Sequence, residues 1–312
     1  MALPEDLKQL ASKVSNWGRW GDDDQLGTLN LLTPEARRRG AGAVRQGKSF
    51  ALALRLDHRG PQTGGIPGRI NPVHTMTTIN KSYTGDTGDY TDSDDMVVMS
   101  MQGATHWDSL AHVSYDGLLY NGFSTDTITA ERGASRCGIH RVPPVVGRGV
   151  LLDVARSEGV DRLEPGFAIT PEHLDAAVAL AGVAVEPGDI VLVRTGQIQV
   201  HLAAQSAADN DAYRTQTSGL SWKSIPWFRD HDVAALAIDT LPLELFGERA
   251  DAFLPVHMIH LRDMGLFQGQ NWNLEELAAD CGADGQYDFL LSATPLSITG
   301  ALGSPVTPVA TK

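Results

Sequence analysis

QGATHWDSLAH, residues 102–112, sets two histidines, one aspartate and one glutamine at the end of an apolar strand signal. In an extended chain, side chains alternate between faces. His106 and Asp108 therefore project together and can grip one divalent ion with a nitrogen and an oxygen donor. His112, four residues further on, falls near such an ion without having to ligate it. An ion with one open position lowers the pKa of its bound water to about 7, and hydroxide then becomes available at neutral pH. The same residues also occur as ordinary polar loop side chains, so spacing alone leaves both readings open.

Working outward, the strand signal that leads into this stretch covers residues 94–102. Others lie at 49–56, 149–154, 189–194, 233–238 and 287–291, each rich in Val, Leu, Ala, Ile or Phe. Residues 57–92 are dense in glycine, threonine and aspartate, which predicts a long excursion over the surface or over a site. Helices are expected at 4–14 from the spacing of Leu7, Leu10 and Val14, and at 33–46, where Thr33 caps and Pro34 opens the first turn. Further helical patterns cover 170–180, 222–229, 255–264 and 274–279. Residues 16–30, NWGRWGDDDQLGTLN, read as a loop. Strands alternating with helices give an α/β class. No linker is long enough to divide the chain, so 1–312 is expected as one domain, with 1–47 as an N-terminal helical arm.

Composition excludes several functions. With 25 Lys and Arg against 38 Asp and Glu the formal charge is −13, and the only basic run is Arg37, Arg38 and Arg39. That argues against nucleic acid and anionic membranes as partners. No signal-peptide pattern and no long apolar span is present, and Cys137 and Cys281 lack metal-ribbon spacing, so a cytoplasmic protein with free thiols is expected. A chain of 312 residues buries enough surface to fold without a structural metal, so any metal serves chemistry. There is no GxSxG elbow, Walker loop or HExxH. GGIPG, residues 64–68, reads as a turn, and the run Asp22, Asp23 and Asp24 as a solvated one.

Beyond spacing, QGATHWDSLAH resembles the signature HxGTHxDxPxH of the cyclase family, whose members include bacterial kynurenine formamidase and isatin hydrolase. WGDDDQLGTLNLLTPE, GVLLDVA, PGDIVLVRTG, IDTLPLE and ITGALGSPVTPVA resemble further segments of its longer branch, in the same order along nearly the whole chain. The resemblance implies a swivelling β/β/α fold with a mixed sheet or barrel-like core, a homo-oligomer (dimer or tetramer) and a zinc or manganese site. Carried over residue by residue, it gives Gln102, His106, Asp108, His257 and Gln270 as ligand positions and His112 as the general acid/base. His260 stands close enough to His257 to compete for its role.

This sequence departs from the family's pattern at two ligands, since Gln102 replaces a histidine and Gln270 a glutamate, and Leu110 replaces the proline. An uncharged amide is a weaker donor, and Asp108 is left as the one signature carboxylate, so a single ion is expected rather than two. The resemblance implies an aromatic wall for the substrate pocket, with Trp17, Trp20 and Trp107 as the candidates for lining it against a small planar substrate. For Trp17 and Trp20, anchoring an arm on a neighbouring subunit is the competing role. The activity implied is hydrolysis of a carbon–nitrogen bond in an amide or cyclic amide of a small cyclic or aryl substrate. The alternative is a non-hydrolytic cyclase or isomerase, or a metal-free ligand-binding remnant.

Overall fold

The computed structural model describes residues 3–312. Among these, nine strands form one curled mixed sheet resembling half a barrel. Its order is Ser49–Ala51, Val309–Thr311, Asp288–Ser292, Val146–Asp153, Ile190–Arg194, Ala235–Ile238, Phe267–Gln270, His106–Asp108 and Gly303–Pro305. The four strands from Val146–Asp153 to Phe267–Gln270 run parallel, and the outer ones pair antiparallel.

The central strands are buried on both faces, which explains their unbroken apolar runs. Val150 and Leu152 pack with Val191, Val193, Leu236 and Ile238 on one face. Leu151, Leu192 and Ala237 pack on the other, with Phe267, Trp107 and Trp272. On the first face the helix Glu5–Val14 contributes Leu7, Ala11 and Val14, and the helix Pro171–Ala181 contributes Leu174 and Ala177. Crossing the first face from Ala235–Ile238, the apolar row gives way to Gln268 and Gln270, then to Asp108 and His106 directly opposite them. This is where the site forms.

Three sequence expectations are corrected. The helix opened by Thr33 ends at Gly42, because Gly40 lies against the backbone of Gly147 and Arg148 and the chain must turn to place Ser49–Ala51 on the sheet edge. The strand expected over 94–102 spans only Asp95–Val98 and never joins the large sheet. It pairs instead with Val73–Met76 in a hairpin whose four-residue strands are exposed along their whole length. The expected helix over 255–264 is α-helical at Pro255–Met258 and widens to a π-helix over Ile259–Met264. Gly265 ends it at φ +61°, where a Cβ would strike the Tyr120 ring.

Candidate active site

His106–Asp108 is only three residues long, held between Phe267–Gln270 and Gly303–Pro305. Alternation directs His106 and Asp108 to one face and Trp107 to the other. His106 Nδ1 donates to Ala104 O at 2.7 Å. That bond leaves Nε2 as a bare lone pair, buried and without a partner. Burial pushes the imidazole down to about 4, so it is neutral at physiological pH. Burial alone would raise the Asp108 carboxyl, but His112, His106, His257 and Arg69 outweigh it and hold the group below the ordinary carboxylate range. Asp108 Oδ1 is likewise buried without a hydrogen bond and stands 3.5 Å from His106 Nε2.

The second segment meets the first at Gln270. Its amide –NH2 donates to Asp108 Oδ2 at 2.8 Å and to His257 Nε2 at 3.1 Å. His257 is oriented from behind by Glu244, which accepts from His257 Nδ1 at 2.6 Å and from the backbone N–H groups of Val256 and His257, each at 2.8 Å. Glu244 was not singled out in the sequence. Its signal is an acidic residue just after a strand, in the segment IDTLPLE, where a buried carboxylate needs a donor such as a histidine.

His112 forms the mouth of the site, its side chain one-fifth exposed. Its Nε2 lies 3.6 Å from Asp108 Oδ1 and 3.5 Å from an Arg69 guanidinium nitrogen, and its Nδ1 lies 3.5 Å from Gln102 Nε2. Burial lowers its pKa, Asp108 opposes that, and Arg69 and His257 add to it. Gln102 thus joins the cluster through His112. Gly303 makes room for it, since a Cβ there would come within 2.5 Å of the Gln102 amide. Arg69, in the glycine-rich excursion, was also missed, because nothing in the sequence marks which part of that segment folds back.

His257 and His260 are placed differently. His257 meets Gln270, whereas His260 is fully buried with its ring edge-on to Phe228 and both nitrogens unpartnered. Trp107 does not line the site. It is 1% exposed, packs edge-on against Trp272 and donates to Ala293 O at 2.7 Å on the opposite, core face. Trp17 donates to Arg262 O at 2.6 Å with the Arg262 guanidinium over its ring, and Arg19 covers Trp20. Among the described residues, no hydrogen bond joins either indole to the His106–Asp108 cluster.

Among the described residues, no three His, Cys, Asp or Glu side chains form a complete metal cage. The site does offer two buried, unpartnered lone-pair atoms, His106 Nε2 and Asp108 Oδ1. Their 3.5 Å separation is close to the roughly 3.4 Å edge of a tetrahedron built with zinc-like bonds. This pair fits one divalent ion. A second would have to displace the Gln270 amide, which already satisfies Asp108 Oδ2 and His257 Nε2.

A family model described as Cyclase matches residues 49–244. The solved structure of a novel cyclase is 38% identical, covers 97% of this chain and 99% of its own, and superposes with a TM-score of 0.88. Isatin hydrolase A from Labrenzia aggregata, solved bound to benzyl benzoate, is 19% identical over 87% of this chain and 96% of its own, with a TM-score of 0.62. A "predicted metal-dependent hydrolase" from Bacillus stearothermophilus is 14% identical over 85% and 98%, with a TM-score of 0.51. At these last two identities the likeness is one of fold. No curated protein sequence matches the chain.

Proposed function

The chain belongs to the cyclase family, and from that premise we propose that it hydrolyses a carbon–nitrogen bond, in an amide or cyclic amide of a small cyclic or aryl substrate, with one divalent ion, zinc or manganese. The observation that carries the proposal is the buried pair His106 Nε2 and Asp108 Oδ1, each without a partner in a protein interior where polar atoms are nearly always satisfied. His106 and Asp108 would hold the ion, which would supply Lewis acidity toward an amide carbonyl. The hydrolase names among the structural neighbours support this class of reaction.

The remaining steps belong to side chains. His112 is the proton carrier, since its lowered pKa keeps the ring neutral and its partial exposure lets it meet water and substrate. As the water oxygen bonds the carbonyl carbon, His112 takes the released proton. It returns that proton to the nitrogen as the carbon–nitrogen bond breaks. Asp108 stays ionised, and its charge favours the imidazolium formed in between.

One observation favours a second reading. The Gln270 amide satisfies Asp108 and His257 without any cation, as a metal-free ligand-binding protein would require. Elemental analysis of protein purified without chelator separates the two, followed by assay of a panel of aryl formamides and cyclic imides with and without added zinc or manganese. Metal-dependent release of amine or acid supports hydrolysis, and a protein that stays empty and inactive supports the second reading.

A further inference from the structure

Arg69 is out of keeping with the other deeply set arginines. Arg148, Arg194 and Arg262 each hold a carboxylate between 2.7 and 3.2 Å. Among the described residues, Arg69 has no carboxylate within 4 Å, and its side chain hydrogen-bonds only His112, loosely, at 3.5 Å. It is nonetheless half-buried, and the loss of water lowers its pKa, with only the charge of Asp108 to offset that. A guanidinium has five N–H donors in a planar fork. Most of this one faces no protein acceptor.

The side chain is not there by accident of a loose loop. The next residue, Ile70, donates its backbone N–H to Ser100 Oγ at 2.9 Å, and Gln62 donates to Gly103 O at 3.1 Å. Both bonds pin the 62–70 segment to the turn that leads into His106–Asp108. Gly68, at φ +79°, supplies the left-handed turn just before Arg69. Fixed hydrogen bonds therefore hold a cation with no carboxylate in direct contact beside the proton-carrying histidine.

We propose that Arg69 is an anion anchor, and that the substrate carries a carboxylate which the guanidinium grips while the scissile carbonyl lies against His106, Asp108 and His112. Charge supports this. Asp108 and Glu244 contribute two negative charges and Arg69 one positive, so an added divalent ion turns the cluster from net −1 to net +1. Gln102 and Gln270, being neutral, do nothing to cancel that excess. A planar fork facing a carboxylate forms two charge-assisted hydrogen bonds, whose loss weakens binding by about 10- to 100-fold. This inference names the substrate class for the hydrolase proposed above and rests on that reading for the carbonyl and for the ion that makes the cluster positive, whereas the guanidinium fork without a carboxylate stands on its own geometry.

The test has two arms. In the first, binding of benzoate and of benzamide to the zinc-loaded protein is measured by calorimetry, for the parent, Arg69→Met and Arg69→Lys. Benzoate is expected to bind the parent about 10- to 100-fold more tightly than Arg69→Met, with Arg69→Lys between them and benzamide indifferent. In the second, kcat/KM is compared for 2-formamidobenzoate and formanilide, which differ only in the carboxylate. The ratio should favour the carboxylate in the parent and collapse at least tenfold in Arg69→Met. Arg69-dependent benzoate binding without hydrolysis of either anilide supports the anchor and overturns the hydrolase reading. Hydrolysis with an unchanged ratio, or benzoate binding indifferent to Arg69, overturns the anchor and leaves the hydrolase reading standing.

Discussion

Gln270 Nε2 stands 2.8 Å from Asp108 Oδ2, close enough that an amide hydrogen occupies the position from which a cation would otherwise address that carboxylate oxygen. Gln270→Glu would set two buried carboxylates against each other. In chelator, the variant should lose about 3 kcal/mol of stability. Added zinc should restore it, and competition with a coloured chelator should show tighter binding than in the parent. The double variant Gln102→His with Gln270→Glu should bind more tightly still and admit a second ion. Unchanged affinity in both would mean that these side chains do not converge on a metal.

Protein purified without chelator should contain close to one zinc or manganese per chain, because His106 Nε2 and Asp108 Oδ1 stand 3.5 Å apart, both buried and unpartnered, while Gln270 holds Asp108 Oδ2 and His257 Nε2. Elemental analysis gives the number directly. At a free ion concentration about 100 times Kd, binding should raise stability by about 2.7 kcal/mol, visible as a higher Tm that chelation reverses. Two firmly bound ions per chain would contradict the occupation of the second position by Gln270.

His112 and Asp108 should fail differently. His112→Gln should retain the ion and lower kcat by roughly 10²- to 10⁴-fold, the loss typical of an acid/base group. Asp108→Asn should lose ion and activity together. Should His112→Gln empty the site, then the 3.6 Å contact between His112 Nε2 and Asp108 Oδ1 marks a shared ligand sphere, and proton transfer must be sought elsewhere.

His260 should contribute to the loss of stability in acid. Burial, with His257 adding to it, lowers its pKa to about 3 against an ordinary 6.5, so the folded ring stays neutral where the unfolded one is charged. A depressed histidine leaves stability intact above pH 6.5. As the pH falls from 6.5 toward 3 the unfolded chain binds the extra proton, and stability drops by roughly 1.4 kcal/mol per pH unit. His106, lowered to about 4, acts in the same direction over a narrower window. Denaturant titrations of His260→Leu between pH 7 and 4 should show a flatter slope than the parent, and parallel slopes would refute the assignment.

How much of this was legible in the sequence depended on whether a signal was local. The strands at 190–194 and 235–238 announce themselves because both faces are apolar, and Thr33 and Thr170, each followed by proline, mark their helices. The alternation that put His106 and Asp108 on one face is equally local. Phe267–Gln270 went unrecognised for the opposite reason: its sequence FQGQ is half polar because Gln268 and Gln270 face the site, and its glycine is required where a Cβ would press on Trp272 and Trp107. Glu244 and Arg69 reach the site only through the topology, from 136 and 39 positions away from Asp108 in the chain. The same alternation already excluded Trp107 from the pocket, since a residue between two that face a site must face away from it.

One three-residue strand carries His106 and Asp108 on one side and the indole of Trp107, wedged against Trp272, on the other. Sliding it by a single position would exchange the two sides completely. A form in which this strand loosens should lose its chemistry and its interior packing together. Heat, denaturant or a cavity such as Trp107→Ala, costing about 3–5 kcal/mol, should extinguish turnover and tryptophan packing along the same curve. Turnover, measured with the substrate of the proposed reaction, should therefore fall together with the fraction of molecules still folded.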